Sequence, residues 1–227
     1  MMKRLDWDSK FFGFEIAEWD SKALENPATY DLIVVKSDIL APIHLSDFVV
    51  TFHEEKRLYV KECLASPCSS PSVLPLDTTN SKAEYLYGLA FESGKFSRFR
   101  LDPYFKEEDF RRLYRRWVDA SVAGHLADQV FIFYQYDAIL GFVTVKLLGG
   151  KGQVGLVAAH PEYQNRGIGT ELLCAVEKFC VENGANELHI PTQAMNLGAC
   201  VFYEKKGYKL QKTTYIQHLW KKRRDTN

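Results

Sequence analysis

Gln164-Asn165-Arg166-Gly167-Ile168-Gly169 is the stretch on which the reading of this chain turns. Just upstream, Val154-Gly155-Leu156-Val157-Ala158-Ala159 is a short continuous apolar run, the pattern of a strand covered on both faces. Downstream, Ile168, Leu172, Leu173, Val176, Phe179 and Cys180 recur at helical spacing and form one apolar stripe. A strand that runs through a glycine-bearing turn into a helix N-terminus converges backbone N–H groups and the positive end of the helix dipole on one spot. That spot suits a phosphate. Gly167 and Gly169 carry no Cβ, so an anion can approach the backbone closely, and Arg166 adds a fixed positive charge. The turn is neither G-x-G-x-x-G, since Leu172 occupies the third glycine's place, nor G-x-x-x-x-G-K-[ST].

A second stretch, Asn196-Leu197-Gly198-Ala199-Cys200-Val201-Phe202-Tyr203-Glu204-Lys205-Lys206-Gly207-Tyr208, reads as a short helix. Asn196 is a natural N-cap and Gly207 a natural C′ residue, leaving room for about two and a half turns. Asn196, Ala199 and Tyr203 share one face: the small Ala199 lets a ligand lie along it, and Tyr203 presents a phenol one turn on. The alternative for Tyr203 is a core tyrosine with a satisfied hydroxyl.

Gln-x-x-Gly-x-Gly after a strand leading into His160-Pro161-Glu162-Tyr163 resembles the acetyl-CoA loop of the Gcn5-related N-acetyltransferase superfamily. The Asn196 segment resembles that family's Asn-x-x-Ala-x-x-x-Tyr-x-x-x-Gly-Phe pattern, with Tyr208 in place of the Phe. The resemblance implies an α/β acyltransferase fold, a mixed and mainly antiparallel central sheet flanked by helices. It implies acetyl-CoA as cosubstrate, gripped at its pyrophosphate by Gln164, Asn165, Arg166, Gly167, Ile168, Gly169 and Thr170. Val157, Ala158 and Ala159 would hold the pantetheine arm and polarise the thioester carbonyl, with Asn196 and Ala199 alongside. Tyr203 would protonate the departing sulfur, a task that suits a phenol whose ordinary pKa lies near that of a thiol.

The chain has 227 residues, 46% hydrophobic and 26% charged, with 29 basic and 29 acidic side chains. A balanced charge gives no global field for nucleic acid or an anionic membrane. No apolar stretch reaches bilayer-spanning length and no h-region opens the chain, so a cytoplasmic protein is expected. Cys63, Cys68, Cys174, Cys180 and Cys200 are an odd, scattered set, which argues against a zinc site and a secreted disulfide frame; no metal is expected.

Ser66-Pro67-Cys68-Ser69-Ser70-Pro71-Ser72 reads as a linker, dividing a small truncated α/β accessory domain, 1–68, from an acetyltransferase domain, 69–227. In the first part the aromatic-rich Leu5-to-Phe14 segment should pack against something, Asp31 to Ser37 reads as a buried strand, and Phe48–Phe52 and Arg57–Cys63 as two strands joined at His53-Glu54-Glu55-Lys56. The second part begins with a short strand at Val73–Leu76, a helix opened by the capping-box pattern Ser81-x-x-Glu84, a loop over Phe96–Phe105 and a helix through Phe110–Ser121. A hairpin around Asp137-Ala138 leads through Gly149-Gly150-Lys151-Gly152 into the strand before the loop. A strand at Glu187–Pro191 precedes the Asn196 helix, and Tyr208–Trp220 supplies one or two more. The basic run Lys221-Lys222-Arg223-Arg224 reads as a solvated tail.

No acidic side chain announces itself as a general base; Asp102, Glu107, Glu108, Glu162 and His160 are candidates by position alone. For the acceptor, Trp7-Asp8-Ser9-Lys10-Phe11-Phe12-Gly13, Ser97-Arg98-Phe99 and Thr192-Gln193 are similar to segments of the bacterial TDP-fucosamine N-acetyltransferases. That likeness implies transfer to the 4-amino group of a TDP-linked amino-dideoxy sugar for surface polysaccharide, with Arg98, Tyr104 and Gln193 contacting the nucleotide sugar. Arginine forks suit a pyrophosphate, and Tyr104 or Phe105 could stack on a base. The basic Lys95-to-Arg116 segment is compatible with this, or with a wet amphipathic face neutralised by Glu107, Glu108 and Asp109. Two other readings stay open: the same chemistry on another small-molecule or protein amine, and a coenzyme A binding module without turnover. The partners expected are thus a small-molecule amine and, optionally, a second copy of the chain.

Overall fold

The computed structural model describes residues 2–20, 27–64, 70–76 and 83–222. Its centre is a ten-stranded sheet in the order β1-β2-β3-β10-β4-β9-β8-β7-β6-β5. The strands are β1 (Met2–Arg4), β2 (Ile16–Trp19), β3 (Leu32–Ser37), β4 (Phe48–Glu62), β5 (Val73–Pro75), β6 (Gln129–Gln135), β7 (Ala138–Leu148), β8 (Lys151–Ala159), β9 (Glu187–Gln193) and β10 (Lys209–Lys221). Pairing is antiparallel except for β2 with β3 and β8 with β9. The helices are α1 (Asp6–Phe12), α2 (Tyr87–Ser93), α3 (Arg98–Leu101), α4 (Glu107–Val122), α5 (Ile168–Glu182) and α6 (Leu197–Lys205). Among the described residues no helix is long and apolar enough to cross a membrane.

Of three hydrophobic clusters among the described residues, the smallest gathers Trp19, Ile33, Val35, Phe48 and Leu219, and the two larger lie on opposite faces of the sheet. On one, α2 and α4 cover Phe142, Leu156, Ala158 and Ile216 with Leu89, Phe110 and Leu113. On the other, α5 and α6 cover Tyr59, Val143, Val145 and Val154 with Leu172, Val176 and Tyr203. The aromatic N-terminal segment joins the first core: Phe12 stacks on Phe99 with centroids 5.5 Å apart, and Phe14 meets Trp220 at 5.0 Å. The described residues on either side of the expected boundary therefore contribute to one sheet and one shared core, with β4 laid between β9 and β10. The expected boundary itself falls at residues 65–69, outside those described, as does Ser81 of the expected capping box.

Two local expectations are corrected. His53-Glu54-Glu55-Lys56 is strand and not a turn, because β4 runs unbroken from Phe48 to Glu62. The segment holds neither Gly nor Pro, and β10 pairs with it throughout, so its polar side chains reflect position on the sheet. The Phe96–Phe105 loop contains the turn of helix α3, started by Ser97, whose hydroxyl accepts from the Phe99 N–H at 3.3 Å. The hairpin between β6 and β7 turns on Tyr136 and Asp137, both at positive φ, as a tight turn matched to strand twist requires.

Candidate functional site

Parallel strands β8 and β9 pair only where Lys151, Gly152 and Gln153 face Glu187, Leu188 and His189. Beyond those residues β8 continues to Ala159 and β9 to Gln193 without pairing to each other, so the sheet opens into a cleft. A bulge in β8 shapes one wall: Val154 faces Val145 and Val157 faces Val143, three steps against two. Val154 consequently enters the α5 core while Leu156 and Ala158 enter the α4 core. The bulge needs Gly155, since a Cβ there would lie 2.8 Å from the Thr144 hydroxyl oxygen, which instead accepts from the Leu156 N–H at 2.9 Å. His160 N–H donates to Leu140 O on β7 at 2.7 Å, so alternation turns the backbone groups of Val157 and Ala159 toward the cleft. The expectation of a strand covered on both faces is corrected here: Gly155 is exposed, and Val157 and Ala159 are half-buried.

The loop after β8 delivers its amides to one place. Asn165 and Gly167 take positive φ values of 61° and 90°, a sequence of turns that lets the chain enter α5 abruptly. The first helical bond to Gly167 O comes from Thr170 N–H, at 2.9 Å. Among the described residues the N–H groups of Asn165, Arg166 and Gly167 have no partner, and those of Ile168 and Gly169 are first-turn amides without an intrahelical acceptor. The amide set fits a diphosphate. The Arg166 guanidinium stacks over the Tyr163 ring at 5.0 Å, and Gln164 anchors the loop by donating to Glu92 Oε1 at 3.2 Å and to Ala159 O at 3.4 Å. One carboxylate stands in the first helical turn, Glu171, which accepts a hydrogen bond from Ser70.

Helix α6 borders the same cleft. A Cβ on Gly169 would lie 3.2 Å from the Phe202 ring, so the glycine permits α5 and α6 to meet one residue from Tyr203. Asn196 caps α6 as its sequence position implies, accepting from the Ala199 N–H at 3.3 Å, and Gly207 ends it at φ 84°. Tyr203 is buried between Tyr59 and Tyr208, with centroids at 5.7 and 6.0 Å. No group among the described residues hydrogen-bonds its hydroxyl, so the reading as a core tyrosine with a satisfied hydroxyl is not what the structure holds. Burial pushes the phenol above its ordinary value, which keeps the proton in place and widens the gap to a thiol.

The sequence-derived acceptor residues lie on the other face. Arg98 opens α3 with its guanidinium over the Phe99 ring at 4.8 Å. Gln193 ends β9 opposite Lys56 of β4. Tyr104 is stacked on Trp220 at 5.4 Å and keeps one face toward solvent, whereas Phe105 is packed among Phe12, Phe99 and Trp220 and offers no ring. The helix arginines are taken up locally: Arg111 by Glu107 at 2.9 Å, Arg112 by Asp109 at 3.0 Å, and Arg115 over Tyr87. His160 accepts the Glu162 N–H at the turn before Gln164, and Glu108 and Glu162 are exposed. A surface groove lined by Val73, Phe131, Ala175 and Phe179 runs along α5 and includes none of the residues named for the site.

Two carboxylates on this face were not placed by the sequence, Asp102 standing there only as a positional candidate base and Glu54 inside an expected turn. Asp102 is fully buried, accepting from His218 Nδ1 at 2.7 Å, Trp220 Nε1 at 2.8 Å and Thr51 Oγ1 at 3.1 Å. Burial raises its carboxyl, but the bonds from His218 and Trp220 outweigh this and hold it below the usual range. Glu54, 7% exposed, has an Oε2 without any partner among the described residues. The partners of Asp102 lie up to 118 positions away along the chain, and the ladder that buries Glu54 comes from β10, so no local spacing marks either carboxylate.

Comparison with known proteins agrees with this geometry. The model of the acetyltransferase (GNAT) family matches residues 92–208, just over half the chain, including both site motifs. Spermidine N(1)-acetyltransferase of Thermoplasma acidophilum is 29% identical over 77 residues, covering 34% of this chain and 48% of that protein. Streptothricin acetyltransferase A of Bacillus subtilis is 28% identical over 121 residues, covering 51% of this chain and 66% of the relative. The chain thus spans 48% and 66% of the length of these two curated relatives. The crystal structure of PaiA N-acetyltransferase from T. acidophilum in complex with coenzyme A superposes with a TM-score of 0.50 at 21% identity, over 66% of this chain and 98% of that one. The acetyl donor of the family is acetyl-CoA. With the split strands, the amide-lined loop and the family match in agreement, the chain belongs to the acetyltransferase (GNAT) family.

Proposed function

We propose that this chain is an acetyl-CoA-dependent N-acetyltransferase whose acceptor is the 4-amino group of a TDP-linked amino-dideoxy sugar. The observation that carries the transfer is the divergence of β8 and β9 after Gln153 and His189, with the unpartnered amides of residues 165–169 beside it and the unbonded Tyr203 hydroxyl one residue from the α5–α6 contact. The amides from Asn165 to Gly169, with Arg166 and Thr170, hold a diphosphate at the positive end of α5. The cleft-facing backbone of Val157 and Ala159, flanking Ala158, takes an extended amide-bearing arm by strand-like hydrogen bonds. Asn196 and Ala199 leave α6 narrow on the side along which that arm lies. Tyr203 holds a proton for the departing thiolate, which its burial conserves until charge develops.

Arg98, Tyr104 and Gln193 support the acceptor reading, since a guanidinium, an exposed aromatic face and an amide on one side of the sheet match a pyrophosphate, a base and a sugar. One relative is named for spermidine, a polycation. A polyamine is disfavoured here by Arg98 and Lys56, whose charges act on Glu54. Purified protein given acetyl-CoA and TDP-4-amino-4,6-dideoxygalactose is expected to release free coenzyme A thiol. Release with spermidine but not with the amino sugar would overturn the acceptor, and release with no amine would leave a binding module.

A further inference from the structure

The acceptor side of the cleft holds a carboxylate whose burial no internal contact explains. Glu54 lies in mid-strand of β4, and its Oε2 is shut off from water with no hydrogen-bond partner among the described residues. An ionised carboxylate in that condition is costly, so its complement belongs to something that binds there. The position is specific. Lys56 faces Gln193, the last residue of β9, and Glu54 stands two residues farther along the same face of β4, roughly 7 Å beyond that pair. It faces Ile216, which shares a core with Leu156 and Ala158 of the cleft wall. Tyr203 approaches the split from the opposite side of the sheet.

The groups around Glu54 come from three elements: Lys56 on β4, Arg98 on α3 and the Tyr114 phenol on α4. Burial pushes the Glu54 carboxyl up, and Arg98 and then Lys56 draw it back. Lys56 is exposed, yet the protein crowded around it, with Arg98, holds its ammonium below the ordinary value. Tyr114 is pushed up to about 12 by burial and stays neutral.

We propose that Glu54 is the catalytic base of the transfer, taking the proton of the acceptor amine, while Lys56 and Arg98 hold an anionic group of the same acceptor. This rests on the acetyl-transfer reading above. As the amine nitrogen attacks the thioester carbonyl, the C–N bond forms and the C–S bond breaks. The surplus nitrogen proton passes to the Glu54 carboxylate, and the Tyr203 phenol gives its proton to sulfur. Glu54, which keeps 7% of its surface exposed, then passes the proton to solvent, and solvent returns one to Tyr203, so charge and protons balance. Two cations around one carboxylate select an amine that also carries phosphate or carboxylate.

The test is thiol release from acetyl-CoA over pH 5.5–9.5 with a panel of amines: the TDP-amino sugar, glucosamine 6-phosphate, an amino acid and spermidine. Glu54→Gln is expected to lower kcat about 100-fold near neutral pH and leave acetyl-CoA affinity unchanged. Its residual rate should climb with pH as the free amine deprotonates, while the wild type levels off. Lys56→Ala should raise KM for the anionic amines alone. Glu54→Asp, which keeps the charge at shorter reach, should fall between, and it carries the test if Glu54→Gln fails to fold. A Glu54→Gln rate and pH profile within twofold of wild type would overturn the base assignment whichever amine is used. If spermidine alone is acetylated, the anionic acceptor and the sugar fall while the Glu54 result still stands or fails by itself. If no amine is acetylated, both proposals fall.

Discussion

His218 Nδ1 lies 2.7 Å from Asp102 Oδ2, and neither side chain is exposed to solvent. The pair ties β10 to the segment between α3 and α4 and so fixes the floor beneath Arg98 and Tyr104. Burial holds His218 below the usual imidazole range against the opposing pull of Asp102, so it is neutral, with Nδ1–H donated to the carboxylate.

Removing the carboxylate leaves a buried imidazole N–H and an indole N–H without their acceptor. Asp102→Ala is expected to cost about 3 kcal/mol of unfolding free energy, read from urea denaturation. A loss below about 1 kcal/mol would show that the pair does not anchor β10.

The same pair sets a pH dependence. An imidazole depressed in the fold binds a proton more readily in the unfolded chain, so its contribution is complete above the unfolded value of about 6.5. It is then lost as pH falls toward the folded value, at up to about 1.4 kcal/mol per pH unit. Glu54, raised in the fold, works in the opposite sense, since its burial favours the protonated form at lower pH. The discriminating measurement is therefore the difference between wild type and His218→Gln in denaturation midpoint from pH 8 to 5. An equal slope in both would place the acid sensitivity elsewhere.

Gly167 sits at φ 90°, where an L side chain is strained, while a Cβ on Gly169 would press on Phe202 at 3.2 Å. Gly167→Ala is expected to cost about 1 kcal/mol in stability through the backbone alone. Gly169→Ala should instead keep stability near wild type and weaken acetyl-CoA binding about fivefold, because the ring must shift beside the loop amides. Paired melting curves and calorimetric titrations separate the two, and the idea fails if both variants behave alike.

Arg166 has no carboxylate partner among the described residues, and its charge is free to face an anion. Arg166→Ala is expected to raise the acetyl-CoA Kd about tenfold and flatten its dependence on salt. An unchanged Kd would remove Arg166 from the diphosphate site.

Tyr203→Phe removes a hydroxyl that no group among the described residues bonds, so stability should change by less than about 0.5 kcal/mol. Turnover, in contrast, should drop about 100-fold at constant acetyl-CoA affinity. Retained turnover in a stably folded variant would show that sulfur is protonated from elsewhere.

Local chemistry made much of this legible in the chain. Asn165, Gly167 and Gly207 are residues tolerant of positive φ, Asn196 is a capping residue, and hydrophobic periodicity marks α5; each of these is decided within about one helical turn. The glycine loop and the α6 face were therefore readable residue by residue. Tertiary structure decided what depends on pairing across long separations. Whether His53–Lys56 turns or extends is settled by β10, which lies more than 150 residues farther along and supplies the ladder. The same pairing buries Glu54 and brings His218 onto Asp102, giving ordinary surface-type residues an interior position that no spacing rule records.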